Sequence, residues 1–392
     1  MTSATGVPPV FDEVVGQESA VQTLSRAAAD AAAAHPAPDL SAMTHAWLLT
    51  GPPGSGRSIA ARAFAAALQC PHGGCGQCED CRTVAAGTHP DVTVVAPEGL
   101  SYGVAEARAL VRGVSDSPIR GRWRVVVVED ADRLTEQAGN ALLRAIEEPP
   151  PRAVFVLCAP TLEDLLPTIR SRCRHVTLRI PSIDAVADVL VRRDGIDPAM
   201  AAFAARAAQG HVGRAKRLAT DEESRRRRRD VLDLPFELDG VGSALAAAGA
   251  LVDAANDDAA SVTGQLDASE TSALRTALGD TGRGLPRGTA GALTDLERRQ
   301  KSRATRGKRD VLDRALLDLA ALYRDVLVVQ LGADVSLVND DLADKVTRLA
   351  RGSRPAETLR RIEAVMACRQ AVDENVNPLL AVEAMALALR AG

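Results

Sequence analysis

Strand and helix signals alternate between residues 46 and 180, and helix signals alone follow. This pattern predicts an α/β domain with a mainly parallel sheet, then helical domains. Short apolar runs at 46–50, 92–96, 123–128, 153–158 and 176–179 have the length and character of buried strands. Amphipathic or Ala-rich stretches with high helix propensity separate them. After Pro181 the strand pattern stops.

The 392 residues suffice for two or three domains of roughly 100–200 residues each. Hydrophobic residues make up 46% and charged residues 25%, the ordinary range of a soluble globular protein. No apolar run approaches the ~20 residues that span a bilayer. The opening MTSATGVPPVFDEVVGQ lacks a basic-then-apolar signal pattern, so a cytoplasmic protein is expected. A net charge of −4 excludes a global basic field for nucleic acid, and any DNA contact must come from a local patch or from partner chains. Of 47 basic residues only Lys216, Lys301, Lys308 and Lys345 are lysines. With the abundant Ala, this suggests a high-GC coding bias that places Arg where Lys is usual.

In chain order, residues 11–34 read as a turn at Gly16 and a helix with Val21 and Leu24 on its apolar face. HPAPDLS (35–41) is a Pro-broken loop. The strand at 46–50 leads into GPPGSGRS (51–58) and an Ala-rich helix over 59–69. Gly51, Gly54 and Gly56 let backbone N–H groups converge on phosphate oxygens, and the helix N-terminus adds partial positive charge. The phosphate-loop pattern Gly-x-x-x-x-Gly-Lys-Ser/Thr is met except at Lys, which is Arg57; Ser58 keeps the magnesium-ligand hydroxyl. A Gly-rich turn that merely caps a helix is the alternative.

Cys70-x4-Cys75-x2-Cys78-x2-Cys81 presents four thiolates at the spacing of a tetrahedral zinc site, with Gly73, Gly74 and Gly76 supplying tight turns. In a cytosolic chain such a cluster favours metal over disulfides, and four protein ligands make the site structural. Reduced structural thiols are the alternative. The strand at 123–128 ends in Glu129-Asp130-Ala131-Asp132, where α/β sheets place their ligands. These acids read as a Walker B element that holds magnesium and orients water, or as a solvated acidic turn. A helix over 137–147 stops at Glu148-Pro149-Pro150-Pro151. A short helix over 165–170 and the turn Ser171–His175 lead into the last strand.

Three short helices over 183–193, 199–208 and 213–219 form a small helical domain. The run Arg225–Arg229 is a solvated helix face, or a contact for nucleic acid or an acidic partner. Residues 231–295 are Ala-rich, and TGRGLPRGTAGAL (281–293) reads as a mobile loop. Long helical patterns cover 309–332 and 355–390. Leu312, Leu316, Leu319, Leu322 and Tyr323 trace one stripe, expected as helix-bundle core.

VVGQ (14–17), GPPGSGRS (51–58), the cysteine cluster with AGTHPDV (86–92), ALLRAIEEPP (141–150), LLPTIRSRCR (165–174) and GHVGRAKRL (210–218) carry a family resemblance. The chain resembles bacterial AAA+ clamp-loader subunits, in particular the delta-prime family of DNA polymerase III. The resemblance covers 11–220 and extends more weakly to NVNPLLAVEAMALAL (375–389). Residues 231–300 have no counterpart, and the first cysteine gap of four is shorter than is common in that family.

The resemblance implies a RecA-like AAA+ domain over 1–180 with a zinc module at 70–81, and a helical lid over 181–230. It implies an all-α collar over 231–392, flexible near 281–308. It implies a hetero-pentamer with delta and tau/gamma subunits that uses ATP to load a sliding clamp on primer-template DNA. Such a complex works in the cytoplasm, at the replisome on the nucleoid, with no membrane partner. Arg172 falls at the arginine finger, which reaches a neighbour's ATP and is worth roughly 10³–10⁵ in rate. Arg214 falls at the second-sensor position.

Hydrolysis by this chain is not expected. The Arg57 guanidinium is bulkier than an ammonium. Glu129 and Asp130 invert the usual acid order, and a carboxylate moved by ~1.5 Å loses ~10²-fold through misplacement. The first-sensor position reads Cys158-Ala159-Pro160. The expectation is a stator without ATPase or polymerase activity, with structural zinc and at most passive ATP and magnesium binding. The alternatives are an active tau/gamma-like ATPase, and a zinc-knot nucleic-acid-binding protein acting through Arg225–Arg229.

Overall fold

The structure, a computed structural model, describes residues 7–32, 42–97, 99, 101–277 and 290–391. The loop expected over 35–41 lies outside them, as do residues 281–289 of the loop expected over 281–293. The chain divides into two compact units, Met1–Ala219 and Thr220–Gly392.

The first unit runs α1 (Glu18–Ala32), β1 (Ala46–Thr50), α2 (Arg57–Gln69), α3 (Glu79–Ala85), β2 (Val92–Val95), α4 (Val104–Ser115), β3 (Arg124–Val128), α5 (Glu136–Glu147), β4 (Ala153–Ala159), α6 (Pro167–Arg170), β5 (Arg174–Thr177), α7 (Ile183–Asp194), α8 (Pro198–Ala207) and α9 (Val212–Thr220). The five strands form one sheet in the order β2-β3-β4-β1-β5, with every pairing parallel. β1 lies between β4 and β5, with Ala46 opposite Phe155 and Trp47 opposite Arg174. Strands buried on both faces need apolar residues at every position, and β1 and β4 meet that demand. Successive β1 side chains enter opposite layers. Trp47 and Leu49 pack with Leu24 of α1 and Phe64 of α2. Ala46 and Leu48 pack with Leu110 of α4 and Leu142 and Ile146 of α5. The Trp47 and Phe64 rings meet edge-on at 5.0 Å.

α7, α8 and α9 build a separate small core from Val186, Leu190, Ala204, Ala205, Ala215 and Leu218, to which Val15 also contributes. Gln17 links this end of the unit to the glycine loop. Its buried amide donates to the Ser55 carbonyl at 3.2 Å and to the Arg179 carbonyl, and its oxygen accepts from Arg179 N–H at 3.0 Å.

The second unit holds α10 (Glu222–Asp233), α11 (Val241–Ala277), α12 (Ala290–Leu331), α13 (Ala343–Gly352), α14 (Pro355–Asp373) and α15 (Pro378–Ala391). Leu312, Leu316, Leu319 and Tyr323 of α12 meet Ala244, Ala248 and Leu251 of α11, Val365 and Val372 of α14, and Val382 and Met385 of α15. Leu322 turns to a second cluster with Leu232, Val326 and Val346.

Three features differ from the sequence reading. Residues 290–308, expected to be flexible, are the first turns of α12, which packs along α11; Leu296 is buried there and Arg303 bonds to Glu270 at 2.8 Å. The pattern over 355–390 breaks at Glu374–Asn377, where Asn375 adopts a left-handed φ of 70°. Residues 220–230, grouped by sequence with the lid, lie in the second unit, because Arg228 of α10 is buried against Asp318 of α12 at 3.3 Å and against Asn339.

Candidate nucleotide pocket, arginine finger and metal centre

The glycine loop joins β1 to α2 at the C-terminal edge of the sheet. Gly51 N–H donates to the Pro160 carbonyl at 3.0 Å, which ties the loop to the end of β4. Gly54 has φ +90°, and a Cβ there would stand 3.1 Å from the His211 side chain, just ahead of α9. A larger residue would therefore wedge α9 from the loop. Gly56, at φ 87°, caps α2 without a side-chain hydrogen bond, so the first N–H groups of α2 point toward the loop as a helix N-terminus does.

The charges of this cradle are engaged within the chain. Arg57 donates from Nη1 to the Gly51 carbonyl at 2.7 Å, closing its own loop. Arg62, one turn further along α2, donates to Glu129 Oε1 at 3.0 Å, so a cation of the chain stands at a carboxylate that a metal would need. Asp130 adopts a left-handed φ of 49°. Asp132 is largely buried, and desolvation raises its carboxyl above the usual range, with the Asp130 charge adding to the rise. Its Oδ1 has no hydrogen-bond partner, as is also true of the buried Ser55 hydroxyl. Ser58 stands in the first turn of α2. Burial pushes the Cys158 thiol up to about 12, and Thr161, the next polar side chain, is exposed. Arg214 sits in the first turn of α9, its N–H on His211 Nδ1 at 3.3 Å.

The structure thus brings Gly51, Gly54, Gly56, Arg57, Ser58, Glu129 and Asp130 to one edge of the sheet, with α9 against the loop. Tyr102 and Gln17 are supports that the sequence reading missed. The Tyr102 hydroxyl donates to the carbonyls of Val95 at 3.0 Å and Glu129 at 2.6 Å, locking the ends of β2 and β3. An aromatic in a chain with only 2% aromatics was the available signal.

Arg172 lies in the turn after α6, with its side chain 40% exposed. Its Nη2 meets Glu147 Oε1 of α5 at 2.6 Å, and its Nη1 donates to the Thr168 carbonyl at 2.9 Å. Nη1 also reaches the Ser171 hydroxyl at 3.3 Å, and a surface guanidinium with these three partners keeps further donors for an outside anion.

The four cysteines follow α2. Their sulfurs all lie within 4.8 Å of one another, with Cys70 3.7 Å from Cys75 and 3.6 Å from Cys78. A tetrahedral ion with ligand bonds of ~2.3 Å sets sulfurs ~3.8 Å apart, so the donor set suits a soft tetrahedral cation. Backbone N–H groups of His72 and Cys75 point at Cys70 Sγ at 3.3 and 3.4 Å, that of Cys78 at Cys75 Sγ and that of Cys81 at Cys78 Sγ. Donors from Gln77 and Cys78 bring the Cys75 thiol down to about 6, while burial raises those of Cys78 and Cys81. Gly74, at φ +102°, passes under the N-terminal segment, and a Cβ there would lie 2.8 Å from Val10.

A second layer braces the knot. Arg120 forms a two-pronged contact with Glu79 and reaches Asp80 at 3.3 Å; Asp80 also faces the buried His89 at 3.5 Å. Asp91, fully buried, holds the loop that carries Arg120. Its carboxylate accepts from the N–H groups of Ile119, Arg120 and Gly121 at 2.6–2.8 Å and from Arg124 at 3.2 Å. Burial opposes ionisation there, but these donors, led by Gly121, hold the carboxyl below the usual range. The sequence motif Thr88-His89-Pro90-Asp91 is therefore structural support for the knot.

The five-arginine run does not present a free basic face. Arg226 pairs with Glu223 at 2.8 Å, Arg227 with Glu223 and Asp258, and Arg228 with Asp318.

Two family models match the chain. One, described as DNA polymerase III, delta subunit, covers residues 37–182; the other, its C-terminal region, covers 309–390, and together they take in more than half of the chain. The delta' subunit of Pseudomonas aeruginosa DNA polymerase III is 39% identical over 163 residues, 40% of this chain and 50% of that one. The delta' subunit of Bacillus subtilis is 32% identical over 195 residues, 49% of this chain and 59% of that one. The chain belongs to the delta-prime family of DNA polymerase III subunits. The gamma/tau subunit of Mycobacterium tuberculosis is also similar, 36% identical over 178 residues, 44% of this chain and 29% of that subunit. The chain thus spans half to three-fifths of these two delta-prime relatives and under a third of the gamma/tau subunit. The glycine loop, both inverted acids, the cysteine knot and Arg172 fall inside the first matched segment. Residues 183–308 fall in neither. Among the described residues, no helix is long and apolar enough to cross a membrane.

Proposed function

We propose that the chain is the stator of a clamp loader: a delta-prime subunit that braces a hetero-pentamer with delta and tau/gamma subunits and does not hydrolyse ATP. It supplies Arg172 to a neighbour's ATP while the assembly places a sliding clamp on primer-template DNA. The observation that carries this reading is the internal neutralisation of its own pocket. Arg57 is turned onto the Gly51 carbonyl and Arg62 onto Glu129. A cation seated at Glu129 stands where a magnesium ion would require a bare carboxylate. Arg172 is exposed, and Glu147 acts as the positioning residue that parks it. The four cysteines hold a structural zinc ion, which fixes the turn after α2 and takes no part in the reaction. The domain roles follow: 1–180 as the AAA+ body, α7–α9 as the lid and the second unit as the collar.

Reconstitution with partner subunits tests the finger. Arg172→Ala is expected to leave the ring assembled and to lower its DNA-stimulated ATPase by roughly 10³-fold. Unchanged turnover would refute the role.

An active tau/gamma-like ATPase is the second reading, favoured by the similarity to gamma/tau subunits and by the retained Ser58. It requires ATP turnover by the isolated chain that disappears in Asp130→Ala. The zinc-knot nucleic-acid reading requires DNA binding that tracks Arg225–Arg229, and the ion pairs of Arg226, Arg227 and Arg228 weigh against it.

A further inference from the structure

The helical hairpin of α11 and α12 extends past the bundle core, and most of its outer part lies in the stretch that neither family model covers. Its charge is unlike that of the rest of the chain. Between 290 and 309 stand seven basic residues and two acidic ones, in a chain of net charge −4. Two of the four lysines, Lys301 and Lys308, are here.

The packing sorts these charges. Arg303 turns inward to Asp267 at 3.3 Å and Glu270 at 2.8 Å, two of the acids on the facing helix α11. Gln300 donates to the Asp267 carbonyl at 2.9 Å, and Gly307 packs against Ala259, so the two helices run closely side by side. Arg298, Lys301, Thr305 and Lys308 are exposed. Their spacing of three, four and three residues places them on one face of α12, over about 15 Å. On α11 the exposed residues at this level include Ser269, Ser272 and Arg275. Glu297 beside Lys301, and Asp257 and Asp310 near Lys308, are exposed acids at the margins of the cation row. A row of exposed cations with hydroxyls beside it matches the phosphates of a nucleic-acid backbone in charge and hydrogen bonding.

We propose that the outer part of the α11–α12 hairpin is a binding surface for the phosphate backbone of duplex DNA, without base specificity. This goes beyond the stator reading and does not depend on it, because the row of cations lies outside the residues that either family model matches.

The test is binding of the full chain to a fluorescent 30-base-pair duplex of arbitrary sequence, by anisotropy from 25 to 200 mM salt. The variant is Arg298→Gln/Lys301→Gln/Lys308→Gln. The control removes two exposed arginines elsewhere, Arg351→Gln/Arg390→Gln. Circular dichroism checks the fold, and Lys301→Gln/Lys308→Gln serves if the triple variant is unstable. The wild type should bind with a falling log K–log salt line, and the triple variant should lose at least tenfold in affinity at low salt. Its slope should shrink by about 2 to 3, at ~0.9 per phosphate contact. The control should keep both. The proposal falls if the wild type does not bind duplex, if variant and control lose equally, or if neither loses. It also falls if the triple substitution abolishes binding to phosphatidylserine vesicles while duplex binding persists.

Discussion

The cysteine knot and the glycine loop stand at opposite ends of α2 and make opposite use of their motifs. At the knot, four sulfurs converge on one point, N–H groups point at three of them, and an outer layer of Arg120, Asp80 and Asp91 fixes the surrounding loops. At the loop, the backbone cradle is kept, yet Arg57 is bonded to the Gly51 carbonyl and Glu129 to Arg62. A motif therefore says which backbone shape persists, and the partners of its side chains say whether the chemistry does. The family membership is compatible with either outcome at the loop; the hydrogen bonds of Arg57 and Arg62 support the proposal that the loop is catalytically silent.

Four experiments test this contrast. The largest effect is expected from Cys78→Ser with chelation. Structural zinc contributes on the order of 10 kcal/mol in small zinc modules, so the variant should lose its one bound ion and melt more than 10 °C below the wild type. Elemental analysis and calorimetry read this, and equal metal content would contradict the knot. The Arg172→Ala measurement on the assembled ring comes next, since it separates the contribution to a neighbour from any activity of the chain's own loop.

Asp91→Asn should cost about 3 kcal/mol, because an amide nitrogen would face N–H groups that now meet a carboxylate. The melting temperature should drop by roughly 10 °C in urea-free buffer. The folded-state pKa of Asp91 lies below its unfolded value. Its contribution is thus full above the unfolded value of ~3.9 and disappears as pH falls through the lower, folded one. The wild-type excess over Asp91→Asn should accordingly shrink on acidification below about pH 4 and stay level from pH 5 to 8. The smallest effect belongs to Arg57→Lys. It removes the bond to the Gly51 carbonyl and restores a compact ammonium, so a fluorescent ATP analogue should bind roughly tenfold tighter, about 1.4 kcal/mol. Turnover should remain absent, because Glu129 and Asp130 are still exchanged.

Much of this was legible before any coordinates. β1, β3 and β4 show as apolar runs because a doubly covered parallel sheet tolerates little else, whereas the edge strand β5, Arg174–Thr177, is mostly polar and starts two residues before the expected 176–179. The cysteines and glycines show because their roles are local in sequence. What the sequence hid depends on distant partners. Arg225–Arg229 reads as a solvated run until Asp258 and Asp318 are brought against it. Asp91 reads as part of a turn, and only the return of residues 119–121 turns it into an anchor. The stretch 290–308 looked loose because its glycines and mixed charges lower helix propensity, which packing along α11 overrides.

The strand order also sets a timetable. β1 bonds to β4 and β5, whose residues lie more than a hundred positions later, so the centre of the sheet must wait for them. The knot closes within a dozen residues of the end of α2. As the chain leaves the ribosome, closure of the knot is therefore open to the N-terminal unit well ahead of the sheet. An ion held by the four cysteines would anchor one end of α2 while the phosphate-loop end is still unpaired, and a cell starved of that metal would release nascent chains that lack this early anchor.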